Sequence, residues 1–237
     1  PNLLALAQRG SYTFQAQTIY PPATLPAHTS MFTGQLPETH GVTWNDYAPA
    51  RGVITATTFF GLAHAAGLRT ALIAGKEKFA HFNTPEALDV YTFARGGDPE
   101  VVDEALRQAA AGVDVLGVHL PNPDYFGHLT GWMSPVYVFQ LSRTDAALGR
   151  LLAALPADTV VLVTADHGGL DFTHGRRIPE DLTIPWIIAG PGVRVNAALS
   201  DPVNIVDTAA TLAYLLGLTL PPEAAGRPVL AALAPAP

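Results

Sequence analysis

Asp124 and His128 stand four residues apart, Asp166 is followed directly by His167, and a third imidazole, His174, comes seven residues after that. A carboxylate and an imidazole at the first spacing can face one ion from a short turn or helix start, and Gly127 eases the turn. An adjacent Asp-His pair points both side chains into one site only from irregular backbone, which Gly168 and Gly169 supply. Carboxylates mixed with imidazoles suit Zn, Mn or Fe better than Mg or Ca, whose sites are mostly oxygen. Zinc is the first expectation, with manganese second. A single Asp at a strand end is more often a turn or cap residue, but five such side chains together point to a metal centre.

Thr24 opens a helical segment, with Pro26 in the first turn where a missing N–H does no harm. From this segment alone an N-cap role for Thr24 is the default. As a nucleophile it would need a metal ion to hold its oxygen as an alkoxide, with the helix N–H groups facing an anion. The Asp and His set would meet that requirement.

These side chains need a frame that gathers them. Apolar periodicity predicts helices near 2–9, 24–34, 56–66, 98–111, 134–154 and 203–216. Strands are expected at Ser11–Tyr20, Arg69–Ala74, Leu88–Phe93, Val113–His119, Thr159–Thr164 and Thr183–Ala189. Such alternation predicts one layered α/β domain over residues 1–237. Several strands are continuous apolar runs of the kind found inside a covered parallel sheet, Val160 to Val163 being the clearest. Val113–His119 runs into Asp124 and His128, and Thr159–Thr164 runs into Asp166 and His167. Ligands of open α/β sheets bind beyond the carboxyl ends of strands, so the two clusters should converge.

Composition narrows the chemistry. The net charge is −7, from 20 Asp and Glu against 13 Lys and Arg, which argues against a nucleic-acid-binding surface. With no cysteine in the chain, disulfides, thiolate zinc sites and cysteine nucleophiles are excluded. No uninterrupted apolar run is long enough for a transmembrane helix. The chain begins at Pro1 without Met, so a leader segment could lie upstream and location stays open.

The motifs as a set resemble the alkaline phosphatase superfamily, in its type I phosphodiesterase/nucleotide pyrophosphatase branch. They are Pro1-Asn2-Leu3, Tyr20 to Ser30 with Thr33-Gly34, Pro37 to Val42, Asn45, Pro123-Asp124 to Gly127-His128, Thr164 to Gly168, His174-Gly175, and Ile184 to Ile187 with Gly190-Pro191-Gly192. The resemblance implies a three-layer α/β/α sandwich around a mostly parallel sheet. It implies two divalent metals, one held by Asp124, His128 and His174, the other by Asp166, His167 and the nucleophile Thr24. Asn45 matches an asparagine that donates to a phosphoryl oxygen, although a turn role is the default for such an Asn. Lys76 and Lys78 resemble a segment that reaches the active site in some members, phosphonoacetate hydrolases included; solvated surface lysines are the other reading. His40 is expected at a packing or turn position, and His64, His81 and His119 in ordinary structural ones. Family members also begin with a strand ending in Asp-Gly, whose Asp is a metal ligand, and the present chain starts after it. The short interval from Asp166 to Ile184 leads to the expectation of an open pocket.

The implied activity is hydrolysis of a phosphate ester, most simply a diester or nucleotide-like pyrophosphate, through a phospho-threonine. Rivals are a phosphomonoesterase, a phosphonate hydrolase, a sulfatase or a non-catalytic remnant short of one metal. A sulfatase would carry Cys or Ser in a C/S-x-P-x-R pattern, where this chain has Thr24-x-Pro26-x-His28.

Overall fold

In the computed structural model of the chain, residues 1–235 are described. Helix α1 (Asn2–Gln8) leads into β1 (Gly10–Gln17), then α2 (Thr24–Thr33) and the single turn α3 (Pro37–His40). Next come α4 (Phe59–Ala65), β2 (Thr70–Ala74), β3 (Val90–Phe93), α5 (Asp98–Ala110) and β4 (Val115–His119). The second half holds α6 (Asn122–Thr130), α7 (Pro135–Ala154), β5 (Val161–Thr164), α8 (Pro179–Leu182), β6 (Thr183–Ala189), β7 (Ala197–Ala198) and α9 (Asp207–Leu215).

Alternating side chains of the strands feed two helical layers. Leu72 and Ala74 of β2, with Ile184, Trp186 and Ile188 of β6, pack against Leu25 and Phe32 of α2, Phe59 and Phe60 of α4, and Ala209 of α9. On the opposite face Ile73 meets Val101, Val102 and Ala105 of α5 and Leu151 of α7. Ile187 and Ala189 meet Leu6 and Ala7 of α1. The expected α/β/α sandwich is therefore present.

Its strands form two hydrogen-bonded groups, in the orders β3-β2-β4 and β5-β6-β1-β7. The first is all parallel. In the second, β6 runs against both β1 and β5, so the sheet is mixed. The physical reason is the connection: β5 reaches β6 without a crossover helix packed on the sheet, and only a crossover returns the chain in parallel.

One expectation needs correction. The apolar run at Val160 to Val163 is not the interior of a covered parallel sheet, because β5 pairs on one side only and antiparallel to β6. All residues of β5 and of β4 are half-buried, whereas all five of β2, which has a neighbour on each side, are buried. No strand of the described residues pairs with the second edge of β4 or of β5.

Candidate metal and nucleophile site

Four strand ends deliver the site. β1 and β5 both run opposite to β6, so their carboxyl ends lie together, and the Thr18 hydroxyl donates to the Asp166 carbonyl at 2.5 Å. Thr24 follows β1 and Asp166-His167 follows β5. β2 and β4 end level with one another, Ala74 opposite His119, sending Lys76 from one and Asp124 from the other toward the same point.

Asp124 and His128 lie one turn apart on α6, a nine-residue helix where the spacing alone predicts a short turn or helix start. The start of α6 is tied down by Asp98, whose carboxylate accepts the Asn122 N–H at 3.0 Å and the Thr144 hydroxyl. Burial raises the Asp98 carboxyl above its ordinary range. The loop carrying His167 and His174 is braced by Arg176, which grips the fully buried Asp181 with two guanidinium nitrogens at 3.0 Å, while the Asp181 carbonyl accepts the Gly168 N–H.

Three imidazoles converge on one carboxylate oxygen. Asp124 Oδ1 lies 3.5 Å from His128 Nε2, 3.6 Å from His167 Nε2 and 3.4 Å from His174 Nε2. The opposite ring nitrogens face backbone carbonyls: His128 Nδ1 to Phe172, His167 Nδ1 to Gly168 and His174 Nδ1 to Pro22, at 2.8–2.9 Å. A carbonyl can only accept, so each Nδ1 carries the hydrogen and each Nε2 presents a lone pair inward, the tautomer that metal-binding imidazoles take. Two atoms bound at about 2.0–2.1 Å to one tetrahedral ion stand about 3.3–3.4 Å apart, close to these separations and too long for good hydrogen bonds. Ligand atoms of Asp124, His128 and His174 all lie within 4.8 Å of one another. Asp124 Oδ1, Asp166 Oδ2 and His167 Nε2 are buried without a hydrogen-bond partner. Such atoms are costly unless a cation joins them, so the donor set fits metal binding.

Charge agrees with this. Burial alone would raise the Asp124 carboxyl, but the facing His174 and the Lys76 ammonium hold it well below the usual carboxylate range. Asp166 is likewise depressed against its burial, by His167, His28 and Lys76. Burial disfavours a charge on His174, yet Asp124 and the Pro22 carbonyl outweigh it and raise its pKa. The carboxylates thus stay ionised and draw positive charge toward themselves.

Thr24 is the first residue of α2; the cap position belongs to Ala23, and no side-chain cap bond is made, so the capping alternative fails. Its hydroxyl oxygen accepts from Lys76 Nζ at 3.2 Å, and the same ammonium lies 2.7 Å from Asp124. Lys76 is no solvated surface lysine: its side chain is 19% exposed, and the Thr24 it contacts is buried. Lys78 is partly buried on the same segment, where burial and the Lys76 charge lower its pKa. Asn45 Oδ1 accepts the Leu25 N–H at 2.9 Å. That bond satisfies one free donor of the first turn of α2 and fixes the amide so that its NH₂ is the end left to donate.

His28 was not singled out by the sequence, although it sits four residues after Thr24 and hence on the same face of α2. Its Nδ1 donates to the Thr24 carbonyl at 2.8 Å, and that nitrogen lies 3.4 Å from Asp166 Oδ2. It is buried against Phe79 and His119, and burial lowers its pKa. The expected division into two ligand sets is less sharp than the sequence implied, because His167 stands 3.4 Å from Asp166 and 3.6 Å from Asp124 and stacks on His174 at 3.6 Å between ring centres.

Comparison with known proteins places the chain. Human GPI ethanolamine phosphate transferase 2, catalytic subunit, is 27% identical over 95% of this chain and 25% of its own length. A 2,3-bisphosphoglycerate-independent phosphoglycerate mutase of Roseobacter denitrificans is 29% identical over 68% of this chain and 36% of its own. The chain thus spans well under half the length of these curated relatives. Among solved structures, murine ectonucleotide pyrophosphatase/phosphodiesterase 5 superposes with a TM-score of 0.81 at 16% identity, covering 94% of this chain and 91% of that one. A 2-O GAG sulfatase does so with a TM-score of 0.71 at 16% identity, over 95% and 66% of the two chains. Those two likenesses show a shared fold. The family model described as type I phosphodiesterase / nucleotide pyrophosphatase matches residues 1–185, and the chain therefore belongs to that family, within the alkaline phosphatase superfamily.

Proposed function

We propose that the protein hydrolyses phosphate esters, preferring diesters or nucleotide-like pyrophosphates, with Thr24 as nucleophile. The observation that carries this reading is the junction at Lys76, whose ammonium bonds both the Thr24 hydroxyl and the carboxylate on which three imidazole lone pairs converge. Asp124, His128 and His174 would hold one divalent ion, and Asp166, His167 and Thr24 a second, zinc fitting the donors best and manganese next. Bound there, the ions would supply Lewis-acid charge for the nucleophile and for the phosphoryl oxygens.

The chain's own residues do the rest. Asn45, its carbonyl end fixed by Leu25, donates its NH₂ to a non-bridging oxygen. Lys76 exchanges Asp124 and Thr24 for the phosphoryl group, uncovering Thr24 as it does so. Attack by Thr24 Oγ1 on phosphorus forms a threonyl phosphoester and releases the leaving group; water then cleaves that ester and restores the hydroxyl. The net charge of −7 favours a small phosphate-ester substrate over a nucleic acid.

Turnover of p-nitrophenyl phosphate, bis-p-nitrophenyl phosphate and a phenylphosphonate ester, each with zinc and with manganese, tests the assignment. Fastest cleavage of the diester supports it; preference for the monoester or phosphonate selects those readings. A Thr24→Ala protein that keeps full diesterase turnover sinks it. Two ions per chain distinguish the enzyme from a remnant holding one or none. The sulfatase reading is disfavoured because position 24 holds Thr where a sulfatase carries Cys or Ser.

A further inference from the structure

His81 lies outside the ligand cluster, on a short 3-10 segment (Glu77–Phe82) that begins one residue after Lys76. It is 2% exposed and packed against Trp44 and Tyr47, which flank the Asn45-Asp46 pair. Its Nδ1 is 2.6 Å from the Gly52 carbonyl, and its Nε2 receives the Ala48 N–H at 3.1 Å. A carbonyl accepts and an amide donates, so the ring is held in one neutral tautomer, hydrogen on Nδ1. The His81 backbone carbonyl adds a third tie, to the Ile54 N–H at 2.7 Å. The loop between α3 and α4 otherwise holds only a 3-10 turn at Pro49–Arg51. Through Asn45 this loop meets the first turn of α2, while the segment bearing His81 also carries Phe79, packed on His28 and His119.

We propose that His81 is a positioning residue: by clamping the loop at Ala48 and Gly52 it sets Asn45 against α2 and keeps it in register with Lys76 on the adjoining segment. Catalytic geometry is sensitive to displacements of this kind. The inference rests on the phosphoryl-transfer role of Asn45 for its kinetic consequence, and on geometry alone for its structural one.

His81→Phe keeps a ring between Trp44 and Tyr47 while removing both side-chain hydrogen bonds; His81→Gln can restore a donor and an acceptor. Hydrogen exchange at the Leu25 amide reads the Asn45 bond without any need for turnover. In His81→Phe that exchange should rise to the level of Asn45→Ala, and His81→Gln should recover part of the protection. Diesterase kcat should fall about tenfold or more with metal content unchanged, and Asn45→Ala added to His81→Phe should cost little further. Wild-type exchange at Leu25 in His81→Phe, or fully additive kinetic losses, overturns the proposal. Should His81→Phe fail to fold, the same comparisons made on His81→Leu, which also removes both side-chain bonds, decide it. A wild-type protein without turnover would refute the proposed function and leave the exchange result to judge His81.

Discussion

The two sides of the site are built from different material. Asp124, His128 and His174 come from a helix and a loop at the rim, and the His128 side chain is 44% exposed. Thr24, Asp166 and His167 come from strand ends beneath it, with Thr24 shut under Lys76 and Asp166 boxed in by His28 and His167. The rim side gathers three donor atoms within 4.8 Å of one another, His128 being the exposed one, and is the side proposed to take up an ion from water. On the deep side the hydroxyl of Thr24, the proposed nucleophile, is held by Lys76. In the proposed function ion capture and nucleophile protection are separated, with Asp124 and His167 lying against both sides.

The largest effect that could break this division is at the nucleophile. Thr24→Ala should cut diesterase turnover on the order of 10⁴-fold while metal at the rim is retained, checked by kinetics alongside elemental analysis. Asp124→Asn should strike both sides at once. Its metal affinity, by calorimetric titration, should fall by more than the roughly 10–100-fold expected from losing an outer-shell partner. Lys76→Met sharpens the comparison, since it removes the bridging charge and leaves all ligands in place. It should lower kcat/KM about 10²–10³-fold with ion stoichiometry intact.

Smaller effects concern the frame. Arg176→Ala leaves the buried Asp181 carboxylate without its partner and should lower the melting temperature measured by calorimetry, with the His174 loop loosening first. His40 tests pH. Burial lowers its pKa to about 4 while an unfolded histidine titrates near 6.5, and its Nδ1 accepts the Val42 N–H in the folded state. The unfolded chain therefore binds the proton more readily, so this contribution to stability is complete above pH 6.5 and is lost as pH falls toward about 4. Urea midpoints at pH 7 and pH 4.5 should differ less in His40→Gln than in wild type.

Much of the site could be read from the sequence because its residues follow strands, and a strand's end is marked by where its apolar run stops. The helices were legible where periodicity was long, as in α5 and α7, and their boundaries shifted where capping decided them; α4 starts after Thr58, whose side chain accepts the Gly61 N–H. What stayed hidden were contacts between residues far apart in sequence. Nothing local marks Asp98 as an anchor for Asn122, or Arg176 as the partner of a buried Asp181. The run at Val160 to Val163 misled because apolar composition tells neither which way a strand's neighbour runs nor whether both of its edges are paired. His28 did leave a signal, its four-residue spacing from Thr24, which is legible once Thr24 is placed inside the helix instead of at its cap.

The central claim is that Thr24 is phosphorylated in turnover, and stereochemistry at phosphorus tests it most directly. Cleavage of a single diastereomer of a phosphorothioate diester in isotopically labelled water involves two in-line displacements if Thr24 and then water attack. Overall retention of configuration is the predicted result. Inversion would mean that water attacks the ester directly, and would contradict the account.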